Sequence, residues 1–115
     1  MPNTAPTDST TQFDLQQMHQ AAGAASQFLR SIANQDRLLL LCQLSQGEAS
    51  VGELESVTGI HQPSLSQQLG VLRREGLILP RKEGKQVYYR IGEPRVLAML
   101  ESLYQLFCIP EGETR

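Results

Sequence analysis

Residues 62–76 read Gln62-Pro63-Ser64-Leu65-Ser66-Gln67-Gln68-Leu69-Gly70-Val71-Leu72-Arg73-Arg74-Glu75-Gly76. Leu65, Leu69 and Leu72 recur at three- and four-residue steps, the spacing of one buried helical face. Proline suits the first helical position, where its missing N–H would have no partner anyway, and Gly76 is a natural stop. The pattern predicts a helix over 63–75 with Ser64, Ser66, Gln67, Gly70 and Arg74 outward or to the sides. No acidic residue falls between His61 and Arg74, so nothing in this segment repels a phosphate. Glutamine fits the N6/N7 edge of adenine, and a serine hydroxyl bonds to several base edges. Gln62, Ser64, Ser66 and Gln67 are the expected base readers, while Arg73 and Arg74, further along, suit phosphates or packing.

The neighbouring stretches complete the unit. Upstream, Ser50-Val51-Gly52-Glu53 has the form of a capping box. It opens a short helix through Val57 that Gly59 ends, and the link 58–61 leads into the longer helix. Downstream the period shortens. Leu77-Ile78-Leu79 and Gln86-Val87-Tyr88-Tyr89-Arg90-Ile91 read as two strands joined by the charged turn Arg81-Lys82-Glu83-Gly84-Lys85. Helix, turn, helix and β-hairpin in that order make a winged helix-turn-helix, whose second helix enters the major groove of DNA. Arg81, Lys82 and Lys85 on the wing are expected to meet phosphates or the adjacent minor groove, contacts that position the protein more than they read sequence. Solvated polar faces and non-DNA interaction modules can show the same order, with the basic hairpin then meeting an acidic partner.

Further out, Leu15, Met18, Ala22, Ala25, Leu29 and Ile32 predict a helix over 14–33 capped by Asp14. Leu38 to Cys42 and Leu44 predict another over 35–46 that stops at Gly47. Val96, Leu100, Leu103 and Phe107, flanked by Leu97 and Tyr104, predict a last helix over 94–108. The expected class is mainly α with a β-hairpin wing, in the order α-α-α-α-β-β-α. Residues 14–109 are expected to form the domain, with dimerisation helices at both ends and flexible tails at 1–13 and 110–115.

The 115 residues fit one domain. The net charge of −2 conceals a division. Residues 61–90 hold six basic and two acidic side chains, a net +4, and the rest of the chain is net −6. Three or four cations per subunit on phosphates would give a dimer a log-affinity versus log-salt slope of about −5 to −7. No apolar run reaches the ~18–20 residues of a membrane span, and Met1 to Thr11 lacks a signal-peptide pattern, so the expected location is cytoplasmic, with no membrane partner. No nucleophile–base pair or phosphate loop points to an enzyme, and no cofactor is expected. The two cysteines, Cys42 and Cys108, form no Cys-x-x-C. Read alone, they are either inert core residues or a switch. Cys42, among leucines, is expected to be shielded, and Cys108, past the last apolar turn, partly exposed.

Several separate blocks together resemble the ArsR/SmtB family of winged-helix repressors. They are Asp36-Arg37-Leu38, Ser50 to Leu54, Gln62 to Leu69, Leu72 to Leu77 and Gln86 to Arg90. The resemblance implies a homodimer, built through the first and last helices, that holds operator DNA until an inducer lowers its affinity. Many family members sense metals. Here Ser50 to Leu54 holds no cysteine, and Pro94 to Phe107 holds no His or Asp, so no metal ligands are assigned. The positions of Cys42 and Cys108 match a subgroup with BigR- and HlyU-like members. Those members release DNA when the two thiols are bridged by oxidant or reactive sulfur species. A metal-responsive repressor and a redox-insensitive DNA-binding regulator are the alternatives.

Overall fold

A computed structural model describes residues 13–108 of the chain. The two expected tails, apart from Phe13, lie outside the described residues. The chain divides into two compact units, one ending at Arg30 and the other beginning at Ser31.

The first unit is most of α1, Leu15–Ile32. Asp14 caps it as expected, its Oδ1 accepting from Gln16 N at 2.9 Å and Gln17 N at 3.3 Å. Apart from Ile32, which is buried, the apolar stripe that predicted this helix is largely uncovered in the single chain: Leu15 is 80% exposed, and Met18 and Leu29 are about half exposed.

The second unit runs α2 (Gln35–Leu44), β1 (Ala49–Ser50), α3 (Val51–Thr58), α4 (Ser64–Arg74), β2 (Ile78–Glu83), β3 (Gln86–Ile91) and α5 (Pro94–Phe107). Asn34 caps α2 by accepting from Arg37 N at 3.0 Å. The capping box of α3 is complete: Ser50 Oγ accepts from Glu53 N at 3.1 Å and Glu53 Oε1 from Ser50 N at 2.7 Å. Gly59 ends α3 with φ 76°, a left-handed conformation that a Cβ would penalise. Helix α2 packs on α3 and on α4, and all three helices meet the sheet. Leu40, Leu41, Leu54, Leu65, Leu72, Ile78 and Val96 are fully buried at the centre, each contributing about 1.5–3 kcal/mol through burial.

The sheet is antiparallel with strand order β1-β3-β2. Its register puts Ala49, Ile78, Pro80, Val87, Tyr89 and Ile91 on one face and Ser50, Leu79, Arg81, Glu83, Tyr88 and Arg90 on the other, because opposed residues share a face and alternate ones switch. The first face carries the buried side chains Ala49, Ile78 and Tyr89.

The architecture is a winged helix-turn-helix, with three differences from the sequence reading. β1 adds a two-residue strand to the expected order. Pro63 stands at the N-cap of α4 rather than inside its first turn. The charged segment expected as a turn is mostly strand: β2 continues through Arg81, Lys82 and Glu83, leaving Gly84 and Lys85 as the loop. Gly84 turns the chain at φ 62°, as a two-residue hairpin loop requires.

Candidate nucleic-acid interface

Helix α4 is held by its leucine face. Leu65, Leu69 and Leu72 are buried, and Ser66, Gln67, Arg73 and Arg74 are exposed. Its first turn is closed from within the chain. Leu65 N donates to His61 O at 3.0 Å, Gln67 N to Pro63 O at 3.1 Å, and Ser66 N to the Gln62 side-chain oxygen at 3.1 Å. Gln62 therefore caps the helix while its amide nitrogen remains available. Ser64 is half-buried and donates its hydroxyl to Asp36 Oδ2 at 3.2 Å; it faces α2. Ser66 and Gln67 are the two expected readers whose side chains stand free of such contacts on the exposed face. Arg74 lies back along the helix, its Nη1 3.5 Å from where a Cβ on Gly70 would stand.

A polar linkage missed by sequence reasoning sets α4 against its support. Arg37 on α2 donates from Nε to Ser31 O at 2.7 Å and from Nη1 to Gln68 Oε1 at 2.8 Å. Gln68 thus faces inward although its neighbours Ser66 and Gln67 face out. Two carboxylates also approach the start of α4 from other elements, Asp36 at Ser64 and Glu55 at His61 Nδ1, 3.0 Å away. The segment lacks acids in sequence, but tertiary contacts bring two to its edge.

On the wing, Lys82 and Lys85 are exposed, and no ion pair involves either among the described residues. Arg81 differs. It meets Glu48 twice, Nη2 to Oε1 at 2.8 Å and Nε to Oε2 at 3.0 Å, and Glu83 once at 2.9 Å. Its guanidinium carbon lies 4.6 Å from the centre of the Tyr88 ring. The hydrogen bonds from Arg81 hold the Glu48 carboxyl below its ordinary range, and the two acids push Arg81 further up.

Cys42 on α2 and Cys108 at the C-cap of α5 are both free and both exposed. The expected shielding of Cys42 is not found. Leu40 and Leu41 take the buried face of α2, and the next residue turns outward by helical geometry. Both thiols line one apolar cavity of about 220 Å³ between α2 and α5, with Leu38, Leu100, Leu103, Tyr104 and Phe107. Partial burial, and secondarily the nearby Cys108 thiolate, push the Cys42 thiol up. Among the described residues, no three His, Cys, Asp or Glu side chains converge as a metal site, and no helix is long and apolar enough to cross a membrane.

Residues 34–79 match the model of the bacterial regulatory protein, arsR family. The chain is 48% identical over 94 residues to the biofilm growth-associated repressor of Agrobacterium fabrum, covering 82% of this chain and 80% of that protein. It is 43% identical over 95 residues to the transcriptional activator HlyU of Vibrio cholerae, covering 83% and 88%. The crystal structure of the transcriptional repressor BigR from Xylella fastidiosa superposes with a TM-score of 0.82 at 41% identity, over 85% of this chain and all of that one. These relatives are transcription regulators, not enzymes. The chain belongs to the arsR family of bacterial regulatory proteins.

Proposed function

We propose that the chain is a cytoplasmic homodimeric repressor that binds operator DNA and is released when Cys42 and Cys108 are bridged. The observation that carries this reading is the shared cavity: two free thiols on different helices line one apolar space between α2 and α5. In each subunit α4 enters the major groove, with Ser66 and Gln67 at base edges, assisted by the Gln62 amide, while Ser64 stays turned to Asp36. Arg73, Arg74, Lys82 and Lys85 meet the backbone, and half-site centres lie about one helical turn apart, or a multiple of that. The uncovered stripe of α1 and the exposed end of α5 are the surfaces that a second copy would cover.

Bridging removes two protons and two electrons from the thiols. Hydrogen peroxide, as the oxidant, is reduced to two waters. A persulfide R–S–SH gives R–SH and hydrogen sulfide when the product is a plain disulfide. Joining α2 to α5 changes the angle between the supports of α4 and the dimer helix. Coupling of this kind corresponds to roughly 5- to 150-fold in DNA affinity. The test is operator binding before and after peroxide or persulfide treatment, in wild type, Cys42→Ser and Cys108→Ser. Both variants are expected to hold DNA through the treatment; release identical to wild type would overturn the switch. Intact mass separates the products, since each inserted sulfur adds about 32 Da to the disulfide mass.

A further inference from the structure

The three strands carry a side-chain tie that engages Arg81, one of the three cations expected to meet DNA from the wing. Strands β1 and β2 are not hydrogen-bonded to each other, because β3 lies between them. Register nevertheless places Arg81 of β2 opposite Tyr88 of β3, and Tyr88 opposite Ser50 of β1, so all three share a face. Glu48 lies just before β1, and its carboxylate reaches the same face. The Arg81 side chain runs across this face, over the Tyr88 ring, and ends on both oxygens of Glu48. Glu48 is joined through Ala49 to Ser50, whose backbone and hydroxyl form the capping box of α3. A continuous path therefore runs from the wing through Arg81 and Glu48 to the helix that starts the helix-turn-helix.

We propose that Arg81 is a positioning residue, with Glu48 as its anchor: it fixes the pitch of the wing against α3 instead of contacting DNA itself. This rests on the reading that α4 and the wing meet duplex together. A bidentate guanidinium–carboxylate pair has a fixed planar geometry, and the Tyr88 ring below and Glu83 beside it hold the guanidinium from two further sides. An isolated exposed ion pair contributes little to stability; the value of this one is directional. The tip lysines are then the wing cations left to meet phosphate.

The sign of one substitution separates the roles. Were Glu48 merely competing with DNA for Arg81, Glu48→Gln would free a cation and tighten binding. As an anchor, its loss weakens binding although the protein becomes more positive. The assay measures affinity for a duplex selected from a random pool by the wild-type protein. Glu48→Gln and Arg81→Gln are each expected to lose roughly 5-fold or more, and the double variant no more than the worse single. Thermal unfolding checks that each variant is folded, and Glu48→Gln decides the matter should Arg81→Gln misfold. Unchanged or tighter binding by Glu48→Gln overturns the anchor while leaving DNA binding intact. A wild-type chain that selects no duplex overturns the DNA reading and the anchor with it.

Discussion

At the scale of single residues, chemistry here depends on direction more than on composition. Ser64 and Ser66 are both serines on one helix, yet one is turned to Asp36 and the other to solvent, because two residues of helix rotate a side chain by about 200°. Cys42 shows the same effect beside Leu41. Its thiol is reachable, but burial and the Cys108 thiolate both raise its pKa. Only the thiolate is nucleophilic, so Cys42 should alkylate more slowly at neutral pH than a fully solvated cysteine and accelerate as pH rises. Removing the second charge in Cys108→Ser lowers the midpoint of that rise. Alkylation of Cys42 followed by mass spectrometry between neutral and alkaline pH measures both effects. A midpoint that stays put or moves up in the variant would contradict the coupling.

At the scale of elements, the wing shows how a hairpin escapes a hydropathy pattern. Beyond Pro80 the strands leave the core, both faces meet water, and charged residues occupy ladder positions without penalty. Pairing continues to Glu83 and Gln86, with Arg81 laid over the Tyr88 ring of the opposite strand. At the other end the hairpin is anchored by a close approach. Gly92 donates its N–H to Leu77 O at 2.9 Å, and a Cβ there would stand 2.6 Å from Leu79 Cγ. Gly92→Ala should therefore force the exposed Leu79 side chain aside and destabilise the protein by about 0.5–1.5 kcal/mol, and Leu79→Ala should relieve part of it in the double variant. Urea unfolding of the two singles and the double gives the coupling directly.

At the scale of the whole molecule, the uncovered apolar surface is the dominant feature. Phe107 is 78% exposed and Leu106 70%, at the end of a helix whose Val96 and Leu100 are buried. Exposed residues of this kind on α1 and α5 favour association. Sedimentation should give a dimer for wild type, and Phe107→Asp should shift it to monomer with loss of operator affinity. With Arg81 committed to two carboxylates, Arg73, Arg74, Lys82 and Lys85 leave four cations per subunit for the phosphates, a dimer slope of about −7. A steeper value of about −9 would return Arg81 to the phosphates.

The helices, their caps at Asp14 and Ser50, the leucine face of α4 and the hairpin were legible in the sequence. Each is a local matter of period, capping chemistry or turn geometry within a dozen residues. What tertiary structure decided are pairings between residues distant in sequence. β1 is two residues long and exists because β3 presents its edge to Ala49 and Ser50. Arg37 reaches Gln68 and Asp36 reaches Ser64. Arg81 finds Glu48, a partner 33 residues away. The meeting of Cys42 and Cys108 at one cavity likewise depends on how α5 lies on α2. Local periodicity reports which face of an element avoids water; it carries no information about which polar groups from elsewhere will meet there.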